Sequence, residues 1–265
     1  MSEHAPVRLS GVASGYGQRL VLNGLDLELR RGTFTAIVGP NGSGKSTAIR
    51  AMSRLLPVRR GVVFLDGRDV RAFSSRHIAR RVAVLPQAPS GPPGLTVREL
   101  VEMGRFPHSG LFGRLGEAGH RAIEEALELT RLAELAARPL DELSGGERQR
   151  AWVALALAQG ADTLLLDEPI TFLDVRHQFE VLDLLRSLQR DRGMTIVVVL
   201  HDLLHAATYA DRVIVMEGGR IVADGTPASV LTVDVLARVF GVAARIFIDP
   251  ESGRSVCLPV GPSMA

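Results

Sequence analysis

Gly39-Pro40-Asn41-Gly42-Ser43-Gly44-Lys45-Ser46-Thr47 is the stretch that decides the fold. It has the form G-x-x-x-x-G-K-[ST] of a phosphate-binding P-loop. The β-branched run 33–38 before it predicts a buried strand, and the segment 48–56 after it predicts a helix. Because glycines permit unusual backbone angles, successive N–H groups can turn toward an anion. The motif predicts that Lys45 reaches the β- and γ-phosphates of a nucleotide and that Ser46 ligates Mg²⁺.

The composition singles out the same position. The chain has 31 lysines and arginines together, and Lys45 is its only lysine. A compact ammonium suits a crowded phosphate, whereas the planar fork of arginine suits bidentate ligands. The alternative for this stretch is a plain glycine-rich turn before a helix.

The bulk numbers are those of an ordinary globular protein. Of 265 residues, 46% are hydrophobic and 23% charged, which allows one large domain or two. The formal net charge is only +2 and there is no lysine-rich run, so nucleic-acid binding is not indicated. Arginines concentrated between 54 and 81 favour a solvated face or, alternatively, an edge facing anionic lipid or a partner.

Several features bear on the compartment. The single cysteine, Cys257, excludes an intramolecular disulfide and favours a reducing compartment. The segment 1–6 lacks the apolar core of a signal peptide. The longest apolar runs, 151–158 and 194–200, are far shorter than the roughly 18–20 residues that span a bilayer. We expect a cytoplasmic protein that reaches the inner face of the cell membrane through a partner.

The order of predicted elements indicates an α/β fold with a P-loop NTPase core and a mainly parallel sheet. Two strands precede the P-loop, and the second alternates like a half-buried antiparallel strand. After residue 87 a proline- and glycine-rich linker leads into a stretch of helical periodicity. We expect a nucleotide-binding core at 1–87 and 160–265, with an N-terminal antiparallel β subdomain, and an inserted helical subdomain at 88–159.

Local patterns also predict where individual elements begin and end. Thr96 and Glu99 form a capping-box pattern that starts a helix. Asp174 can cap a helix that Gly193 ends. The C-terminal region predicts a helix near 228–240 and a hairpin around 249–253.

A second motif supplies the carboxylates that nucleotide hydrolysis needs. Leu164-Leu165-Leu166-Asp167-Glu168-Pro169 is an apolar strand that carries two acidic residues to its C-terminal end. There Asp167 would ligate Mg²⁺, directly or through water, and Glu168 would accept the proton of the attacking water. The alternative is a strand that ends in an acidic turn.

Leu143-Ser144-Gly145-Gly146-Glu147-Arg148-Gln149-Arg150 lies between these two motifs. Ser144 and Glu147 form a capping-box pattern, and a helix N-terminus behind a serine and glycines is a second anion site. One domain does not need two phosphate sites for one nucleotide. With this segment the chain resembles the ATP-binding subunits of ABC transporters over essentially its whole length, with the motifs in the family's order.

The resemblance implies roles for further residues. Tyr16 is similar to the aromatic residue that stacks on adenine, and Gln87 to the glutamine that contacts metal and water. Asp174 matches an aspartate at the dimer interface, and His201 a histidine that contacts the γ-phosphate. The alternatives are a surface aromatic at Tyr16, a polar loop residue at Gln87 and a hydrogen-bonded strand-end histidine at His201. The family also implies a head-to-tail pair of subunits, with Ser144 of one facing the P-loop lysine of the other.

The expected site has three sets of residues, and its ligands are ATP and Mg²⁺. The expected catalytic residues are Lys45, Gln87, Glu168 and His201. The expected metal ligands are Ser46, Gln87 and Asp167. The expected nucleotide-binding residues are Tyr16, Gly39, Pro40, Asn41, Gly42, Ser43, Gly44, Lys45, Ser46, Thr47, Ser144, Gly145, Gly146 and Asp174.

A finer resemblance concerns the transported molecule. Leu173-Asp174-Val175-Arg176-His177-Gln178 is similar to the corresponding segment of ATPases that serve importers for ferric siderophores, haem and cobalamin. Arg105-Phe106-Pro107-His108 and the C-terminal hairpin resemble the same branch. The alternative is a helix start with a solvated Arg-His-Gln face. The resemblance implies uptake of an iron chelate through separate permease subunits docked on the helical insertion, with a substrate-binding protein as an indirect partner.

Other functions remain as alternatives. The chain could serve another ABC importer, for haem or cobalamin, or an exporter. A soluble ABC protein that acts on DNA or ribosomes usually carries two cassettes or a long coiled-coil insertion, and neither is present. A GTPase is disfavoured because no segment resembles a guanine-reading Asn-Lys-x-Asp.

Overall fold

The computed structural model describes residues 4–108, 115–248, 250 and 255–263. The chain forms two compact units, Met1–Val70 with Ile196–Ala265 and Arg71–Thr195. The strands are β1 (Val7–Tyr16), β2 (Arg19–Glu28), β3 (Phe34–Val38), β4 (Val58–Leu65), β5 (Arg68–Asp69), β6 (Val82–Leu85), β7 (Thr163–Asp167), β8 (Thr195–Val199), β9 (Arg212–Glu217), β10 (Arg220–Gly225), β11 (Val242–Ile248) and β12 (Ser255–Pro262). The helices are α1 (Lys45–Met52), α2 (Ser75–Ala79), α3 (Val97–Met103), α4 (Glu117–Leu129), α5 (Gly145–Ala158), α6 (Val175–Arg192), α7 (Leu203–Tyr209), α8 (Pro227–Val230) and α9 (Val233–Phe240).

The first unit contains an antiparallel sheet with the strand order β2-β1-β4-β5. In β2, Leu25 and Leu27 are buried while Asp26 and Glu28 are exposed, so the predicted alternation is confirmed. Strand β1 pairs with β2 up to Tyr16, and the chain turns only after it. This sheet forms the predicted N-terminal antiparallel subdomain.

The first unit also contains parallel strands that lead into the P-loop. Strand β3 pairs in parallel with β8 on one side and with β9 on the other. Strand β10 pairs antiparallel with β9. Every residue of β3 is buried, which is the pattern of a central strand in a parallel sheet. The α/β class predicted from the sequence is therefore confirmed.

The second unit contains the parallel pair β6 and β7 and a helical core. Helices α3, α4 and α5 contribute fully buried apolar side chains to that core, among them Val97, Leu100, Val101, Ile123, Leu127, Ala151 and Ala154. The Thr96–Glu99 capping box and the Asp174 cap of α6 are both confirmed. The subdomain boundaries predicted after residues 87 and 159 stay a prediction.

Two predictions near the C-terminus need correction or restriction. The single helix predicted near 228–240 is wrong, because α8 and α9 are separate. Thr226 and Thr232 each accept an N-cap hydrogen bond, and the extended backbone of Thr232 interrupts the helical path. Strands β11 and β12 form the predicted hairpin. Its turn, predicted around 249–253, lies outside the described residues apart from Pro250.

Membrane-spanning potential can be assessed for the described part of the chain. None of the helices there combines the length and the apolar character needed to cross a bilayer.

Candidate nucleotide site

The P-loop connects the buried strand β3 to the N-terminus of α1. Three of its glycines have positive φ, 153° at Gly39, 77° at Gly42 and 102° at Gly44. A Cβ at Gly39 would lie 2.1 Å from the backbone oxygen of Met216, so a side chain there would displace a neighbouring strand. This is the glycine-dependent backbone that the motif predicts. It ends at a helix N-terminus, where N–H groups without intrahelical partners favour an anion.

Lys45 is the first residue of α1 and is only 5% exposed. Its Nζ donates hydrogen bonds to the backbone oxygens of Gly39 at 2.8 Å and Pro40 at 3.0 Å. A buried ammonium requires such partners. The side chain therefore folds back along the loop and places its charge beside the loop's backbone. Ser46, the next residue of α1, is partly exposed.

Ser43 carries a buried hydroxyl inside the loop. Among the residues that the structure describes, its Oγ has no hydrogen-bond partner. A buried polar atom without a partner costs about 1–3 kcal/mol. A phosphate oxygen held in the loop would satisfy this hydroxyl, so the loop fits an anionic ligand.

The turn between β9 and β10 supports the P-loop. The backbone N–H of Gly219 donates to Ser43 O at 3.0 Å, and Gly219 O accepts from the N–H of Asn23 at 3.3 Å. A Cβ at Gly219 would lie 1.8 Å from Val21 O, so this close approach requires glycine. In the sequence, the pair Gly218-Gly219 indicates a hairpin turn but does not indicate what the turn contacts.

Parallel register places His201 at the same edge of the sheet as the P-loop. Ile37 of β3 pairs with Val199 of β8. Gly39 and His201 each lie two residues beyond that pair, so both follow the carboxyl ends of adjacent strands. His201 is exposed. The structure thus brings His201 to the edge where a γ-phosphate contact was predicted.

Tyr16 lies at the end of β1 and is 44% exposed. Its hydroxyl accepts a hydrogen bond from Arg50 Nη1 at 3.0 Å. Arg50 belongs to α1, the helix that begins at the P-loop. The tyrosine is therefore hydrogen-bonded to the helix that also carries Lys45, and the exposed part of its ring can stack on another ring. The assignment of Tyr16 to adenine stays a prediction.

In the second unit, register also brings Gln87 and Glu168 together. Leu85 of β6 pairs in parallel with Leu166 of β7, and each of the two polar residues lies two positions beyond that pair. Gln87 Nε2 donates to Glu168 Oε2 at 2.5 Å. Asp167 at the end of β7 is 3% exposed. The contact between Gln87 and Glu168 was not predicted, because the sequence assigned the two residues separate roles.

The backbone of Glu168 is unusual. Its φ is 53°, in the left-handed region that non-glycine residues seldom adopt. Thr171 Oγ1 donates to the same carboxylate oxygen at 3.2 Å that accepts from Gln87. Such strain at a predicted general base is typical of functional sites.

Ser144 begins α5 as its N-cap. Its Oγ accepts from Glu147 N at 3.3 Å, and Glu147 Oε2 accepts from Ser144 N at 2.9 Å. The predicted capping box is confirmed. Hydrogen bonds from the Ser144 hydroxyl and backbone N–H lower the pKa of the Glu147 carboxyl below its usual range. Ser144 and Gly145 are exposed at the helix N-terminus, whereas Gly146 is buried.

The segment before α6 exposes both an acidic and an aromatic side chain. Asp174 is the N-cap of α6 and remains exposed. Phe172 has a φ of 68° and is 93% exposed, which is unusual for a large apolar residue. The sequence did not single out Phe172 as a site residue. An aromatic residue two positions before a helix cap carries no signal of exposure by itself.

The residues predicted to contact the nucleotide belong to two groups. Tyr16, the P-loop and His201 lie in the first unit, and Gln87, Asp167, Glu168, Ser144 and Asp174 lie in the second. Across the described part of the chain, histidine, cysteine and acidic side chains do not cluster in threes that could hold a metal ion alone.

The profile of the ABC transporter family matches residues 22–171, which contain the P-loop, the Ser144 segment and the Asp167-Glu168 pair. The chain belongs to the ABC transporter family. The resemblance to ATP-binding subunits of ABC transporters is therefore confirmed. As an ABC cassette with these motifs the protein binds ATP and is an ATP hydrolase.

Two relatives of this ABC ATPase match it over nearly their whole length. The iron(3+)-hydroxamate import ATP-binding protein FhuC of Bacillus subtilis is 47% identical over 92% of this chain and 91% of its own. The hemin import ATP-binding protein HmuV of Streptomyces coelicolor is 44% identical over 96% of this chain and 91% of its own. Both are described as ATP-binding proteins of import systems.

Solved structures share the fold of this ABC ATPase. An inward-facing metal-chelate type ABC transporter has a chain with a TM-score of 0.83 and 25% identity, over 96% of this chain and 97% of that one. A dimeric bacterial ABC transporter cassette has a TM-score of 0.73 and 28% identity, over 83% of this chain and 98% of that one. The second of these shows that cassettes of this fold form pairs.

Proposed function

We propose that this ABC ATPase couples ATP binding and hydrolysis to the uptake of an iron chelate, a ferric siderophore, through a separate permease. The observation that carries the proposal is the 47% identity to an iron(3+)-hydroxamate import ATP-binding protein, over most of both chains. The likeness to a metal-chelate type transporter supports it. The segment 173–178, which resembles the same branch, agrees with it.

The nucleotide would bind first to the P-loop. Lys45 would exchange its hydrogen bonds to Gly39 O and Pro40 O for the β- and γ-phosphate oxygens. The Ser43 hydroxyl would gain the partner that it lacks among the described residues. The exposed ring of Tyr16 would stack on the adenine, since it is attached through Arg50 to the same helix.

Oxygen donors of this chain suit Mg²⁺. In nucleotide sites this ion is bound through one or two carboxylates together with substrate phosphates, which agrees with the absence of an acidic cluster among the described residues. We assign Ser46, Gln87 and Asp167 as its protein ligands. When bound, the ion neutralises charge on the phosphates.

Glu168 would act as the general base. Its carboxylate accepts hydrogen bonds from Gln87 and Thr171, which fix its orientation. A water activated by Glu168 would attack the γ-phosphate, and His201 would donate to the oxygens of that phosphate. Each residue has a defined place at the end of a parallel strand.

A second copy of the chain would complete the site. The likeness to a dimeric cassette supports a pair of subunits, which we infer to be arranged head to tail. Ser144 and Gly145 are exposed at the N-terminus of α5, where helix N–H groups favour an anion. We infer that they contact the nucleotide held by the partner subunit, and that Asp174 lies at the subunit interface.

Integral-membrane permease subunits are the other expected partners, with a substrate-binding protein acting on the far side of the permease. We place the cassette in the cytoplasm, held at the inner face of the membrane by the permease. The inserted helical segment 88–159 carries the exposed apolar side chains of Met103 and Phe106, 57% and 67% exposed, as candidates for this contact. Purifying the complex from native membranes should recover a permease, and recovery of the cassette alone from intact membranes would contradict the assignment.

Haem import is the second candidate. The 44% identity to a hemin import ATP-binding protein is the observation that favours it. Deletion of the gene separates the two functions by growth. We expect the deletion strain to fail on a ferric hydroxamate as sole iron source and to grow on haem and on simple iron salts. Failure on haem alone would instead favour the second candidate, and normal growth on both chelates, with no redundant transporter, would contradict iron-chelate import.

A further inference from the structure

His177 connects the loop before α6 to helix α5, the helix that begins after Ser144 and is called the signature helix below. Its backbone N–H donates to Asp174 Oδ1 at 2.9 Å, and its ring Nδ1 lies 2.8 Å from both oxygens of the same carboxylate. Because a carboxylate only accepts hydrogen bonds, Nδ1 carries the proton. The ring therefore has a fixed orientation relative to Asp174.

The opposite edge of this ring lies against Gly146. A Cβ at Gly146 would lie 2.2 Å from His177 Cδ2 and 2.6 Å from its Cγ. Both distances are too short for any real contact. Gly146 is the second residue of α5, so its backbone is helical and does not itself require glycine. The reason for glycine at this position is the space that the histidine ring occupies.

Gly145 provides a contrast. A Cβ there would lie 3.3 Å from Leu173 Cδ2, a tight contact with the end of a flexible side chain. The loop that carries Leu173 is fastened by a second side chain of α6, because Gln178 Nε2 donates to Leu173 O at 2.9 Å. Two side chains in the first turn of α6 therefore contact the loop that ends at Asp174. Gln178 donates a hydrogen bond to this loop, and His177 contacts both this loop and α5.

We propose that His177 is a positioning residue that sets the place of the α5 N-terminus relative to the Asp174 loop, and that Gly146 is glycine in order to receive its ring. The proposal rests on the proposed contact of Ser144 with the partner subunit's nucleotide. Moving α5 away from Asp174 would move Ser144 while leaving the P-loop, which lies on other elements, unchanged. The effect should therefore fall on the rate of hydrolysis and not on the first binding of ATP.

A double-mutant cycle tests the packing directly. In the wild-type background Gly146→Ala should lower kcat about 10- to 100-fold, as expected for a displacement of about 1 Å. It should also lower the unfolding midpoint by on the order of 2–10 °C, as overpacking does. In a His177→Ala background the two nearest atoms, Cδ2 and Cγ, are gone and only Cβ remains, at 3.0 Å. The same substitution should then lower kcat at least about 3-fold less, and the midpoint less, than it does beside the histidine.

Two further variants separate the two functions of the ring. His177→Phe keeps a ring against Gly146 but loses the donor to Asp174. His177→Asn keeps a donor near the Nδ1 position and an atom at the Cγ position, 2.6 Å from a Cβ at Gly146. We therefore expect Gly146→Ala to remain harmful beside both variants, whereas of the two only His177→Phe loses the hydrogen bond to Asp174. In each variant with a lowered kcat, the KM for ATP should stay within about 3-fold of the wild-type value, since positioning acts on the transition state.

Gly145→Ala is the matched control. Because Gly145 faces Leu173 and not His177, its effect should be the same in the wild-type and His177→Ala backgrounds. Equal effects of Gly146→Ala in both backgrounds, on kcat and on the unfolding midpoint, would overturn the proposal. The midpoints test the packing even if Ser144→Arg leaves hydrolysis intact. Intact hydrolysis in Ser144→Arg would contradict the proposed role of α5 at the nucleotide. It would leave the evidence for packing of His177 against Gly146 unchanged.

Discussion

Gln87 Nε2 donates a hydrogen bond to Glu168 Oε2 at 2.5 Å. The contact follows from the pairing of Leu85 with Leu166, because each polar residue lies two positions beyond that pair on adjacent parallel strands. The first residues of the linker after β6 are thereby tied to the proposed general base. Movement of this linker would change the orientation of the carboxylate that activates water.

The proposed base leads to the first prediction. Glu168→Gln keeps the size of the side chain and removes its basicity, so we expect ATP binding to persist and turnover to fall by roughly 10²–10⁴-fold. ATP-bound dimers should accumulate and can be measured by size-exclusion chromatography. Asp162→Asn is the control. Asp162 forms an ion pair with Arg81 and lies just before the N-terminal end of β7, whereas Glu168 follows its C-terminal end. Hydrolysis near the wild-type rate in Glu168→Gln would refute the assignment.

Tyr16 tests the adenine contact. Stacking of a base on an aromatic ring contributes about 1–3 kcal/mol, so Tyr16→Ala should weaken ATP binding about 10- to 100-fold. Tyr16→Phe should be nearly neutral, because it keeps the ring and loses only the hydrogen bond from Arg50. Equilibrium binding of a fluorescent ATP analogue measures both. If the alanine variant binds as tightly as wild type, the adenine lies elsewhere.

Metal dependence is the third prediction. Excess EDTA should abolish hydrolysis, and added Mg²⁺ should restore it. Ser46→Ala should raise the Mg²⁺ concentration needed for half-maximal activity, because it removes a proposed ligand. Ser53→Ala is the control on the same stretch of chain, since the Ser53 hydroxyl donates to Ile49 O. An unchanged requirement for Mg²⁺ in Ser46→Ala would exclude Ser46 as a ligand.

The composite site gives the fourth prediction. Lys45→Ala removes the phosphate cation, and Ser144→Arg places bulk and charge at the signature helix, so each homodimer should be nearly inactive. A mixed dimer of the two variants has one composite site with both lesions and one with neither. ATPase rate measured against mixing ratio should therefore show partial recovery. Absence of recovery in confirmed mixed dimers would favour a site formed within one subunit, or obligate coupling of the two sites.

Local patterns predicted the parts of this site that depend on neighbouring residues. The glycines of the P-loop, the capping box at Ser144 and the cap at Asp174 were all evident from short spacings. The sequence also predicted that polar residues follow the carboxyl ends of β7 and β8. These features depend on backbone angles and hydrogen bonds within a few residues, which the sequence specifies directly.

Contacts between distant parts of the chain were not predictable. Gly219 approaches Val21 O and supports Ser43, although nothing near Gly219 indicates either partner. The fit of His177 against Gly146 likewise depends on how α5 and α6 pack. One helix near the C-terminus was predicted as continuous because apolar periodicity hid the interruption at Thr232. The contacts of Gly219 and His177 arise from packing and not from local propensity, whereas the interruption at Thr232 is a local N-cap that the sequence interpretation missed.

The most direct test of iron-chelate import is ATP-dependent uptake of a ⁵⁵Fe-labelled ferric hydroxamate by cells that lack the gene and carry it back on a plasmid. We expect uptake to be restored by the wild-type gene, and not by Glu168→Gln, when the two proteins are produced at equal levels. Labelled haem should enter at the same rate in all strains. Chelate uptake that is the same with and without the gene, in a strain with no redundant transporter, would contradict the account.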